Sequence, residues 1–305
     1  MRPVCLLIVL LTFLPVACQG GAIVTQAPAQ PTALSTSTIL PVNTQTLAAS
    51  PVIAHGMRCE DWQAWPVIPI VSKTALDLYQ RGQLSGNNSR AFSKIGDGEI
   101  STEWFLSAFD LGEGYYDLGP YQDLRPVIEH FSGSFNRIGM AARRGFNTQK
   151  ILDPSQSDPS QCVSGESPLA CELRLHRPAF AILSLGTNQV WKSEELEAGL
   201  KQILDMLLSN SVVPLLSTKG DNLEGDHRIN RSIACLAQEY DIPLWNFWFA
   251  IQPLPNHGLQ PDLEHLTYGI TDFEDKNAMQ SAWTVRNLTA LQALDAVWRG
   301  VSAGP

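Results

Sequence analysis

Asp262 and His265 stand three residues apart, a spacing that sets a carboxylate and an imidazole on one turn of chain. An imidazole is the side chain best matched to proton transfer near neutral pH, and a carboxylate on its far nitrogen fixes its tautomer. Such a pair is a base that can activate a hydroxyl or a water. Asp97, between Gly96 and Gly98, is a carboxylate in a glycine-flanked turn. It either satisfies turn amides or acts with His265 and a water in hydrolysis without an acyl intermediate. Ser101 is either a displaced nucleophile or an ordinary residue in the first turn of a helix. Trp104 and Trp191 are either platforms for sugar rings or core residues, and His227 is either a ligand contact or the start of a helix.

Positioning these residues requires a sheet. From residue 57 onward, apolar strand-like runs alternate with helical patterns, the signature of a parallel sheet covered on both faces. The expected strands are Ala91–Ile95, Ser134–Ile138, Ala179–Leu185, Val212–Ser217 and Ile242–Phe247, with Pro214 near the start of its strand because proline cannot donate to a ladder. Leu196, Leu200, Ile203 and Leu207 recur at helical spacing behind a Ser193 cap and the acidic Glu194 and Glu195, with Asn210 as the stop. Ile229, Ile233, Leu236 and Tyr240 repeat that spacing. A last helix over Asn287–Trp298 turns Leu291, Leu294 and Trp298 inward and ends at Gly300. In such a sheet ligands bind at the carboxyl ends of the strands, and the residues above fall in the loops that begin there.

Four of these loops carry blocks that resemble the SGNH (GDSL) hydrolases. Gly96-Asp97-Gly98 stands where that family has Gly-Asp-Ser, and Arg144-Gly145-Phe146-Asn147 is similar to its second block. Gly186-Thr187-Asn188-Gln189 matches its Gly-x-Asn-Asp block, and Asp262-Leu263-Glu264-His265 its Asp-x-x-His block. The resemblance spans residues 91–267 and implies a flavodoxin-like three-layer α/β/α sandwich with an ester-hydrolase site. It implies oxyanion donors in the Asn188 amide and the N–H groups of residue 98 and Gly145, where losing one donor typically costs about 3 kcal/mol. His265 would be the base and Asp262 its orienting partner. Gly98 departs from the pattern because it supplies no hydroxyl, and glycine suits a turn needing positive φ. Gln189 replaces an aspartate. The implied ligand is a small-molecule, glycan or lipid ester, either bound without cleavage or hydrolysed by another route. A surface protein with the blocks as relics is the third reading. No cofactor is implied.

The N-terminus reads as an export signal. Arg2 precedes an apolar run, Cys5–Leu14, too short to cross a bilayer. It ends in Leu14-Pro15-Val16-Ala17-Cys18, which resembles the lipobox of bacterial lipoproteins, although Pro15 stands where the pattern has leucine. Either Cys18 is lipidated and anchors the protein to the membrane, or ordinary cleavage releases it. Residues 1–18 are thus the signal, and 19–56, rich in Thr, Ala and Pro, a tether that cannot bury a core. The domain occupies 57–305. Its balance of 30 acidic to 21 basic residues, a formal charge of -9, argues against a nucleic-acid partner. Cys162 and Cys171 flank a loop and are expected to form one disulfide, with Cys235 a core residue. No Cys/His spacing predicts a metal site.

Overall fold

The computed structural model describes residues 58–303. The signal, Cys18 and the tether lie outside them. A 3-10 turn at Cys59–Ala64 leads to α1 (Lys73–Leu84), whose cap Ser72 accepts from the Ala75 N–H at 3.0 Å. Four parallel strands follow in spatial order: β1 (Asn88–Gly96), β2 (Pro178–Ser184), β3 (Val213–Ser217) and β4 (Leu244–Trp245). Between β1 and β2 come α2 (Gly98–Ser101), α3 (Ala108–Leu111), α4 (Arg125–His130), α5 (Thr148–Leu152) and α6 (Pro168–His176). α7 (Ser193–Ser209) joins β2 to β3, and α8 (Arg228–Glu239) joins β3 to β4. α9 (Phe247–Ile251) and α10 (Ala282–Ser302) complete the domain.

Side chains alternate across the sheet, so each face builds its own core. Phe92, Phe180, Ile182, Val213, Leu215 and Trp245 pack with α1, α4, α9 and α10. Ile95, Ala181, Leu183, Leu216 and Leu244 pack with α6, α7 and α8. The result is the three-layer α/β/α sandwich expected.

The expected strand Ser134–Ile138 is not a strand. The chain runs beside β1 there, but the parallel bridge forms only beyond this segment, between Gly96 and Ala142. There the Gly96 N–H donates to the Ala141 carbonyl at 3.0 Å, and the Arg143 N–H to the Gly96 carbonyl at 3.1 Å. Upstream, side chains replace the ladder. The Phe92 N–H donates to Ser134 Oγ at 3.3 Å, and Arg137 Nη2 to the Phe92 carbonyl at 3.0 Å. The physical reason is Glu172 on α6, which draws the Met140 N–H (2.8 Å) and Arg137 Nη1 (2.7 Å) toward itself. With this segment counted in the outer position, the order is flavodoxin-like.

Lys94 also reaches across this edge, its Nζ donating to the Phe135 carbonyl at 2.9 Å from a fully buried position. Burial pushes the amine down to about 8, with Arg137 adding to the effect. Between pH 8 and its ordinary value near 10.5 the unfolded chain holds a proton the folded one has released, so stability rises with pH across that window. Below pH 8 the charge stays buried at a cost. Lys94→Met is expected to stabilise the domain at pH 7 by about 1–3 kcal/mol and to flatten that slope. Urea titrations at pH 7 and 10 check both; an unchanged slope would refute it.

Three local expectations need correction. Ser193 is the first residue of α7 and does not cap it; Lys192 takes the cap position without a side-chain bond. The last helix starts at Ala282 and runs through Gly300, which is not its stop but a site where a Cβ would collide with Val71. Cys235 is not a free core thiol. It is bridged to Cys59 across 176 residues, while Cys162 and Cys171 form the expected short-range bridge.

Candidate functional site

β1 ends at Gly96, whose φ of 153° and contact with the Ser184 carbonyl leave no room for a Cβ. Asp97 then caps α2, its Oδ1 accepting from the Glu99 N–H at 3.2 Å. The carboxyl is buried, and desolvation, with the Glu99 carboxylate second, pushes it up to about 7. Gly98 opens α2. Its φ is not positive, so the turn does not require glycine there, contrary to the expectation. A Cβ at Gly98 would meet only Arg144 Cγ, at an ordinary 3.7 Å. Ser101 turns its hydroxyl back to the Gly98 carbonyl at 3.4 Å.

The second and third loops are pinned together. Gly145 takes the left-handed φ of 77° that glycine tolerates. Asn188 donates through Nδ2 to the Phe146 carbonyl at 3.0 Å, which ties its amide to the Gly145 loop. Gln189 is buried and makes a second tie. Its Oε1 accepts from the Thr148 N–H at 3.0 Å, while Nε2 donates to Thr148 Oγ1 at 3.0 Å and Gln149 Oε1 at 2.8 Å. The longer amide therefore serves as a clamp where an aspartate was expected. From the β3 end, Asp221 accepts from Thr187 Oγ1 at 2.7 Å and binds the buried Lys219, which also meets Glu224 at 2.7 Å.

His265 Nδ1 lies 2.7 Å from Asp262 Oδ2, and Asp262 Oδ1 accepts from the His265 and Glu264 N–H groups at 3.0 Å each. Those backbone bonds, then the imidazole, hold the Asp262 carboxyl down to about 2. The Asp262 hydrogen bond raises the imidazole. The pair is exposed, and the Glu99 charge adds to the upward shift of His265.

Trp104 is partly exposed and its ring lies 5.4 Å from that of Tyr268, three residues past His265. Trp191 is 82% exposed beyond the Asn188 turn. His227 stands at the start of α8 in the N-cap position, the helix-start alternative; it sits against Trp62 and Trp248, at 5.9 and 5.4 Å, with φ of 55°, and its Nδ1 is buried without a partner among the described residues. Among the described residues, the group of potential metal ligands that comes together is Cys162, Glu166 and Cys171, and its sulfurs are joined to each other. Sequence reasoning missed Glu99 and Arg286, whose ion pair joins elements 187 residues apart. An arginine amid the apolar α10 pattern was the available signal.

An α/β sandwich with an oriented imidazole at the carboxyl end of a parallel sheet is thus the class that fold and site define. No family model matches the chain, and no curated protein does. Among solved structures it is similar to a GDSL-like lipase from Bacteroides thetaiotaomicron, at 14% identity, covering 73% of this chain and 98% of that one with a TM-score of 0.42. It is similar also to TesA (16% identity, 58% and 88% covered, TM-score 0.36) and to a variant of the esterase AlinE4 (21%, 59% and 85%, 0.33).

Proposed function

We propose that this chain is an exported lipoprotein whose SGNH-type cleft binds an acylated glycan or lipid of the cell envelope without cleaving it by a serine route. The observation that carries the reading is Gly98. It opens α2 with space for a side chain and offers no oxygen, while the chain keeps a complete Asp262–His265 pair. Its backbone conformation does not demand glycine, so a hydroxyl-bearing side chain would fit there. Two disulfides among the described residues are compatible with export, and no described helix is long and apolar enough to cross a membrane. Anchoring through Cys18 belongs to the same reading.

A second reading has one observation in its favour. Asp97, pushed up to about 7, has the proton affinity of a general acid or base near neutral pH. It would act with His265 on a water.

The test is hydrolysis of short p-nitrophenyl esters by the parent chain, Gly98→Ser and His265→Ala. The parent should show no rate above background. Gly98→Ser should gain at least about a hundredfold, the lower range for general-base assistance, and lose it when His265→Ala is added. Turnover by the parent that vanishes in His265→Ala would instead establish the second reading.

A further inference from the structure

Glu99 lies one residue past Gly98, with its side chain 21% exposed. Behind it stands Arg286 of α10, wholly buried. Its Nη1 is 3.4 Å from Glu99 Oε2, and its Nη2 donates to Ser184 Oγ at 2.8 Å. Four rings enclose the guanidinium: Phe247 at 4.6 Å, Phe105 at 5.0 Å, Trp245 at 5.3 Å and Trp283 at 5.8 Å. Nε and Nη1 make no hydrogen bond among the described residues. A buried guanidinium so poorly answered is costly unless an anion faces it. Glu99 is that anion, and among the described residues its carboxylate accepts no hydrogen bond beyond this ion pair.

We propose that Glu99 is the ligand-anchoring group of the cleft, an acceptor for a ligand ammonium or hydroxyl, and that Arg286 is its positioning residue. This rests on the cleft being a ligand site. The donor class follows from the surrounding charges. Asp97 accepts from the Glu99 N–H at 3.2 Å, the Asp221 charge acts on the Glu99 carboxyl, and Asp262 stands behind His265. Lys219 is committed to Asp221 and Glu224, and Arg286 is sealed from solvent. A donor here forms a charge-assisted bond, whereas an anion meets carboxylates. Burial raises the Glu99 carboxyl on balance, and Arg286 opposes that shift by favouring the ionised form. The opposing cation at this mouth is Arg144, exposed, with its stem over Gly98.

The test follows the His265 ring resonances by NMR in the full chain, assigned through His265→Ala. Ethanolamine, glycerol and acetate are the probes, at fixed ionic strength. Ethanolamine should shift His265 saturably, glycerol less, and acetate not at all. Glu99→Gln should weaken the ethanolamine response about tenfold, the loss of one charged hydrogen bond. Glu99→Gln and Arg286→Met should both lower the His265 pKa, and Arg286→Lys should restore most of it. Should Arg286→Met not fold, Glu99→Gln and Arg286→Lys decide. A response to glycerol alone would assign a hydroxyl ligand. Acetate shifting His265, with the effect lost in Arg144→Gln, would overturn the proposal, as would silence to all three probes or an unmoved His265 in Glu99→Gln. No ester turnover is read, so this result and that of Gly98→Ser fail independently.

Discussion

Glu172→Ala is expected to lower the unfolding free energy by about 3–5 kcal/mol, the usual cost of removing one member of a buried ion pair. Glu172 has no solvent exposure and answers four groups. It accepts from Ser93 Oγ, from Arg137 Nη1 at 2.7 Å and from the Met140 N–H at 2.8 Å, and His176 Nε2 lies 3.7 Å away. Gly139 is glycine because a Cβ would strike this carboxylate. The alanine variant would leave Arg137 half-buried without its partner and release the backbone leading into the Gly145 loop. Guanidinium titration measures the loss. A change under about 1 kcal/mol would mean that Arg137 finds a solvent path at little cost.

The disulfides should contribute unequally. In the chain-entropy account, cross-linking 176 residues stabilises by about 5 kcal/mol, whereas closing the nine-residue loop gives somewhat under 3 kcal/mol. The long bridge is reinforced where it lands. The Cys59 N–H donates to Gln238 Oε1 at 2.9 Å, and Asn246 Nδ2 donates to the Trp62 and Trp65 carbonyls at 2.9 and 3.0 Å. It therefore straps the start of the domain to α8 and the β4 loop. Cys59→Ser/Cys235→Ser should drop the denaturation midpoint further than Cys162→Ser/Cys171→Ser, in one titration series. Equal losses would show that native contacts of the strap, not the constraint on the unfolded chain, set the effect.

The sequence by itself determined the layer order and most of the strands. The short apolar run Ala179–Leu185 and the helical spacing of Leu196, Leu200, Ile203 and Leu207 are local patterns that a sequence shows directly. It also determined the dyad, because Asp262 and His265 bond within one turn of chain. The tertiary structure decided what depends on contacts across long separations. Ser134–Ile138 looks apolar enough for a strand, but Glu172, 34 residues beyond it, takes the backbone N–H and the arginine that a ladder would need. Cys235 reads as core until Cys59 is brought to it. Gly98 reads as a turn glycine until the backbone shows a helical start with space above it. Glu99 carries no signal in the sequence, and only the fold brings the α10 guanidinium of Arg286 to it. In each case burial removes the water that would have satisfied the group, and only the fold can supply the partner that replaces it.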